Sequence, residues 1–170
     1  MFIKGSMDNR PGLEAELKVW DKTEEYFCKR ESFGFLHFPM FGIDHSLRRE
    51  IDILVIDRVL GVTVIEVKGI SSNQIENIIG SVWYCRKGDE TFEISPYAQA
   101  ERQLDMLCAN LEKNPLLYRK FSKRAIVALP YITRKEWEKR GFADMLNSPP
   151  ILFKDDMENG DWHKKLEKIN

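Results

Sequence analysis

Two short apolar segments stand close together in the first half of the chain, and each predicts a β-strand. Arg49–Val55 and Val62–Lys68 are rich in β-branched and aliphatic residues, and a short turn joins them. Three ionisable residues, Asp52, Glu66 and Lys68, interrupt these apolar runs. A strand buried on both faces is almost continuously hydrophobic, and charges are rarely buried without a partner. The three charged residues within these strands therefore mark the place where a functional site is expected.

The rest of the hydrophobic pattern predicts helices and strands in alternation. Helices are predicted over residues 12–29, from Ser95 onwards, over 134–146 and over 161–169; strands, besides the two above, over residues 33–40, 81–85, 91–94, 124–129 and 151–153. Lys87–Glu90 has the composition of a hairpin turn. This order predicts an α/β fold with a mixed central sheet that begins as a meander and carries helices on both faces.

The first helix carries a glutamate among its apolar residues. At 100° per residue, Leu13, Leu17, Trp20 and Phe27 form one stripe, and Glu16 falls inside it. A glutamate on the inward face of a helix can serve a site in the protein interior. The alternative is that Glu16 lies at the edge of the stripe and reaches solvent.

Alternation along a strand places Glu66 and Lys68 on the same face. Asp52 joins them only if the strand register sets it opposite one of the two, and the sequence leaves the register open. Two carboxylates offer hard oxygen ligands for Mg²⁺ or Mn²⁺, and an ammonium beside them can stabilise charge on a phosphate. The alternative is a buried Glu–Lys pair and a solvent-facing aspartate.

Composition bounds the possibilities further. The chain has 170 residues, 43% of them hydrophobic and 31% charged, which fits a single domain over residues 1–170. An apolar run of the ~20 residues needed to cross a bilayer is missing, as is a secretory signal, so we expect a cytoplasmic protein without membrane association. Three cysteines without a CxxC pair argue against zinc.

Net charge and histidines narrow the chemistry. The formal net charge is −1, so the chain is not a polycation. Any contact with nucleic acid must therefore come from local clusters of basic residues, and Arg48 and Arg49 are candidates. His37 is expected as a core or edge residue, and Asp44 with His45 as turn residues. A Ser-His-Asp triad or a histidine metal site has no support.

Three motifs together resemble a known family. Glu50-Ile51-Asp52, then Ile65-Glu66-Val67-Lys68-Gly69, then Ser95-Pro96-Tyr97-Ala98-Gln99-Ala100 stand in the order of the nuclease-related domain (NERD) of the PD-(D/E)xK nuclease superfamily. The resemblance spans roughly residues 12 to 130. ExK alone is a common chance match, whereas the three motifs in this order are specific.

The resemblance implies a three-layer α/β/α, restriction-endonuclease-like core and one metal site. The residues it implies for catalysis are Glu16 (with Glu14 as the alternative), Asp52, Glu66, Lys68 and Gln99. Mg²⁺ or Mn²⁺ would be held by Asp52, Glu66 and the backbone carbonyl of Val67. Lys68 would position or polarise the attacking hydroxide, and Gln99 would assist in orientation.

The function expected from this set is metal-dependent hydrolysis of phosphodiester bonds, with DNA favoured over RNA, in DNA processing or repair. One alternative is a non-cleaving nucleic-acid-binding accessory domain, because parts of the chain resemble NERD regions placed before superfamily-one helicases. The GxxxxGK[ST] loop of such a motor does not occur here, so a helicase partner would lie outside this sequence. A homodimer is a further expectation, and a structural or protein-interaction domain is the second alternative.

Overall fold

The computed structural model describes residues 1–5, 11–41, 47–143 and 149–160, with the backbone alone for 41 and 47–49. These residues form nine strands, four α-helices and one 3₁₀ helix, Ser72–Gln74. The strands are β1 (Phe2–Lys4), β2 (Ser32–Phe41), β3 (Leu47–Asp57), β4 (Gly61–Val67), β5 (Ile75–Ile79), β6 (Val82–Lys87), β7 (Glu90–Ile94), β8 (Lys123–Leu129) and β9 (Ile151–Phe153). The helices are α1 (Leu13–Phe27), α2 (Pro96–Leu111), α3 (Arg134–Lys139) and α4 (Lys154–Glu158).

The main sheet is mixed and has six strands in the order β1-β2-β3-β4-β8-β9. Strands β2, β3 and β4 form an antiparallel meander, while β8 runs parallel to β4 and β9 parallel to β8. The predicted mixed sheet with a leading meander is confirmed. Strand β4 lies inside the sheet, with β3 on one side and β8 on the other, which explains why six of its seven residues are buried.

The two faces of this sheet are covered by different helices. On one face α1 packs Val19 and Trp20 against a cluster that includes Ile65. On the other face α2 packs Leu104 against a cluster that includes Val64. Helices on both faces of a mixed sheet give the predicted three-layer α/β/α architecture, consistent with a restriction-endonuclease-like core.

A second, antiparallel sheet contains β5, β6 and β7 and lies between β4 and α2 in sequence. The predicted hairpin turn is confirmed, because β6 ends at Lys87 and β7 begins at Glu90, with Gly88 at φ 62°. Trp83 from this sheet contacts Trp137 of α3, with ring centroids 5.3 Å apart. This sheet therefore shares an aromatic cluster with α3.

The buried face of α1 differs from the predicted stripe. Leu13 and Leu17 are only half-buried, whereas Val19 and Thr23, which are not part of that stripe, are fully buried. The buried residues centre on the direction of Glu16, so this glutamate lies in the middle of the inward face and not at its edge. The predicted solvent-facing alternative for Glu16 is wrong, because its exposure is 8%.

Other boundaries also differ from the predicted ones. Helix α3 ends at Lys139, not at residue 146, because Gly141 adopts φ 74° and breaks the helical path. The predicted helix over residues 161–169 lies outside the described residues. The hydrophobic pattern does not predict strand β1 or helix α4, which have three and five residues. Within the described ranges, a helix long and apolar enough to span a membrane is absent.

Candidate active site

The register of β3 and β4 brings Asp52 and Glu66 together at the end of their ladder. The last pair of the ladder is Ile53 with Ile65, so the next position on each strand places Asp52 opposite Glu66. The ladder stops there, and the backbone N–H of Val67 donates to Asp52 Oδ2 at 2.8 Å. The carboxylate thus accepts a bond that would otherwise go to a neighbouring strand.

Glu66 is a buried carboxylate on an interior strand. Alternation along β4 sets it on the same face as Val64, towards α2, and only 1% of the residue is exposed. Its Oε1 accepts a hydrogen bond from the Lys68 ammonium at 2.5 Å. Within the described chain, its Oε2 is buried and has no hydrogen-bond partner. A buried carboxylate oxygen in this state calls for a cation or a proton.

Burial and nearby negative charge raise the pKa of Glu66 to about 7. Loss of solvent is the largest cause, and the charge of Asp52 is the next. The Lys68 ammonium opposes both, while the charge of Glu16 adds a smaller upward contribution. Two further carboxylates and one ammonium therefore act on Glu66 at this end of the sheet.

Glu16 reaches this end of the sheet from the first turns of α1. Its backbone N–H donates to the Gly12 carbonyl at 3.1 Å, which places the side chain beside the helix N-terminus, where the helix dipole favours a negative charge. Its Oε2 lies 2.6 Å from His37 Nε2, and the His37 side chain is fully buried. Glu14, the alternative to Glu16, is exposed.

The glutamine that the structure buries against the sheet is Gln103, one helical turn after the expected Gln99. Gln99 is half-buried, at the margin of the face that α2 turns to the sheet. Gln103 is 1% exposed and donates from Nε2 to the Glu50 carbonyl at 2.8 Å, while its Oε1 has no partner in the described residues. Gln103 follows Ala100 by three residues, so helical spacing contained the signal for its burial.

The sequence predicts His37 as a core or edge residue, and the structure shows it buried and in contact with Glu16, a candidate site residue. Nothing in the sequence indicates its backbone angle, φ 56°, or its partner on α1. Asp44 and His45 lie outside the described residues. Arg48 and Arg49 belong to β3, but their side chains also lie outside the described part.

The donor set suits a hard divalent cation. Asp52 and Glu66 offer carboxylate oxygens, and the Val67 carbonyl lies on the same edge of β4 as the Val67 N–H that bonds Asp52, since both backbone groups of one strand residue point to the same neighbour. The unpartnered Glu66 Oε2 fits a cation at this place. A group of three or more His, Cys, Asp or Glu side chains arranged around a metal position does not occur among the described residues. Any ion would therefore be coordinated by two carboxylates, a backbone oxygen and water, as is common for Mg²⁺.

A mixed sheet between two helical layers, with an aspartate and a Glu-x-Lys pair meeting at the end of adjacent strands, defines an α/β protein of the restriction-endonuclease-like class. The family model described as nuclease-related domain matches residues 11–129, and the chain belongs to this family, NERD, of the PD-(D/E)xK superfamily. Among curated proteins and solved structures, none matches the chain.

Proposed function

We propose that the protein is a metal-dependent nuclease that hydrolyses phosphodiester bonds of nucleic acid, with DNA as the favoured substrate. The observation that carries the proposal is the buried Glu66 carboxylate, which has one oxygen bonded to Lys68 and the other unpartnered within the described residues. A purely structural Glu–Lys pair would be expected to satisfy both oxygens, because an unsatisfied buried carboxylate oxygen is costly.

Each residue has a role that follows from its contacts. Asp52, Glu66 and the Val67 carbonyl would hold Mg²⁺ or Mn²⁺, which supplies Lewis-acid chemistry toward a phosphodiester. Lys68, whose ammonium donates to Glu66 Oε1, would position the attacking hydroxide or donate to the phosphate oxygens where charge develops. Glu16 would accept a hydrogen bond from an ordered water.

The finer parts of the proposal rest on the family and on position. Gln99 opens α2 and would help to orient water or phosphate, with Gln103 one turn further along the same side of the helix. Arg48 and Arg49 would contact the nucleic-acid backbone beside the site. A helicase or another DNA-processing protein as partner, a homodimer and a cytoplasmic location stay predictions.

The deciding experiment is cleavage of supercoiled plasmid and circular single-stranded DNA with Mg²⁺ or Mn²⁺. Asp52→Asn, Glu66→Gln and Lys68→Met keep the shape of each side chain and remove its charge. We expect each to lower the cleavage rate at least ~100-fold. The matched control is Lys123→Met, because Lys123 pairs with Asp105 on the surface, at the other end of β8 from the site.

The outcomes separate the proposal from its alternatives. Metal-dependent cleavage that the three site variants lose and Lys123→Met retains supports the nuclease. Binding of DNA by wild type without cleavage, and without Mn²⁺ binding by calorimetry, would favour a non-cleaving accessory domain. Absence of DNA binding, metal binding and cleavage together would leave a structural or protein-interaction domain. RNA substrates in the same assay test the preference for DNA.

A further inference from the structure

His37 holds an unusual backbone conformation in the middle of a long strand. It has φ 56°, in the left-handed region that non-glycine residues adopt rarely and at a cost of ~1–2 kcal/mol. The neighbouring pairs are Leu36 with Ile53 and Phe38 with Ile51, so His37 stands opposite Asp52, yet this pair is missing from the ladder. The strain thus occurs in the same row of the sheet as Asp52 and Glu66.

The surrounding backbone fits tightly around this conformation. Gly5 donates its N–H to the Leu36 carbonyl at 2.8 Å, at the end of β1. A Cβ atom at Gly5 would come within 2.7 Å of the His37 carbonyl oxygen, so no side chain can occupy that position without movement. Strand β1 therefore packs directly on the strained residue, which has little room to relax.

The His37 side chain makes a close contact with Glu16. Its Nε2 lies 2.6 Å from Glu16 Oε2, with 0% of the imidazole and 10% of the glutamate side chain exposed. An ionised carboxylate only accepts hydrogen bonds, so this contact requires the Nε2–H form of the imidazole as its donor. The bond fixes one carboxylate oxygen of Glu16, whose charge also acts on Glu66.

We propose that His37 is a positioning residue of the nuclease site: through its hydrogen bond to Oε2 it fixes the Glu16 carboxylate toward Asp52 and Glu66. This inference rests on the proposed function. His37 is too deeply buried to meet a nucleic acid, so it acts through Glu16 and touches neither substrate nor metal. A second group that orients an acidic residue typically changes metal affinity or activity ~10–100-fold when it is removed.

A double-mutant cycle tests the coupling between the two residues. We expect His37→Leu to lower the rate of Mn²⁺-dependent DNA cleavage ~10–100-fold or to raise the Mn²⁺ concentration for half-maximal rate by the same factor. In a Glu16→Gln background, His37→Leu should change either quantity less than about twofold, because the residue through which it acts is already altered. Phe27→Leu controls for lost stability, since Phe27 is buried at the far end of the same helix.

Two conservative variants distinguish positioning from a backbone role. His37→Asn tolerates the left-handed backbone best, but its amide is too short to reach Glu16 as the imidazole does. His37→Gln has the reach and a donor, but a less suitable backbone preference. Positioning predicts more cleavage by the Gln variant than by the Asn variant, whereas a role limited to the backbone predicts the reverse. This comparison distinguishes positioning of Glu16 from a backbone role even if His37→Leu does not fold.

The results that would overturn the inference are distinct from those that would overturn the function. If wild type cleaves DNA and the effects of His37→Leu and Glu16→Gln multiply independently, or if the Asn variant is the more active one, His37 does not position Glu16. If wild type neither binds Mn²⁺ nor cleaves DNA, the proposed nuclease fails and the inference fails with it.

Discussion

Replacement of Glu66 by glutamine should stabilise the metal-free protein at alkaline pH. The carboxylate is 1% exposed and its pKa lies at about 7, against an ordinary value of 4.5. The folded protein therefore holds a proton that the unfolded chain releases as the pH rises above 4.5. Ionisation of Glu66 destabilises the folded protein. This destabilisation is absent below pH 4.5, grows between pH 4.5 and 7, and reaches its full size above pH 7.

The size of the effect follows from the two pKa values. The difference between 4.5 and about 7 corresponds to roughly 3 kcal/mol, at ~1.4 kcal/mol for each pKa unit. The charge of Asp52, which is only half-buried, contributes to this shift and is partly screened by solvent, so roughly 3 kcal/mol is an upper value. We therefore compare the free energy of unfolding of Glu66→Gln with that of wild type at two pH values. We expect the difference in favour of the variant to be roughly 1–3 kcal/mol larger at pH 8 than at pH 4.5.

The assay is urea unfolding of both proteins in EDTA across this pH range, with the difference between them plotted against pH. Asp105→Asn removes an exposed carboxylate from α2 and measures the effect of losing one negative charge elsewhere. Addition of Mn²⁺ at pH 8 should reverse the order, because an ion at about 1,000 times its Kd stabilises wild type by ~4.1 kcal/mol and the variant lacks the ligand. If the difference in unfolding free energy between the two proteins does not change with pH, the Glu66 carboxylate is not buried and desolvated as proposed.

Other features lead to simpler predictions. Arg124→Met should raise the free energy of unfolding by ~1–3 kcal/mol, because this guanidinium is buried and, within the described residues, its Nε and Nη1 have no partner; a decrease in urea unfolding would contradict this. Gly61→Ala should destabilise by at least ~2 kcal/mol in the same assay, since φ is 77° and a Cβ would lie 2.1 Å from the Ser122 carbonyl oxygen. Gly80→Ala, with φ 59° and open space, should lose only ~1 kcal/mol, and equal losses would refute the steric argument. Of the three thiols, only the exposed Cys28 should react quickly with a disulfide reagent, since the other two are buried and burial raises their pKa; fast reaction of all three in folded protein would contradict the burial.

The sequence contained most of what positions the site, because local patterns carry that information. Two adjacent strands and their short turn follow from β-branched composition, and alternation alone set Glu66 and Lys68 on one face. The sequence alone leaves the register open, and the structure selects the one that brings Asp52 opposite Glu66. Glu16 followed from helical spacing, although its central place on the buried face of α1 did not.

The features that sequence reasoning missed depend on contacts between distant elements. The bond of His37 to Glu16 joins residues 21 positions apart, and a left-handed residue within a strand has no compositional signature when it is not glycine. The burial of Gln103 could have been predicted, because it follows Ala100 by three residues and precedes Leu107 by four, which places all three on one side of α2. The family motif indicates Gln99 instead.

The position of β4 between the meander and β8 also orders the events of folding. Strands β2, β3 and β4 are joined by short connections, whereas β8 begins at Lys123, more than fifty residues after β4 ends at Val67. Closing that long loop is entropically slow compared with forming a hairpin, so we expect the meander to form early and β8 with α2 to dock late. Glu66 then loses its solvent only in the last stage. Its charge should accelerate unfolding and leave the folding rate nearly unchanged, which makes the lifetime of the native state depend on whether the carboxylate is neutralised.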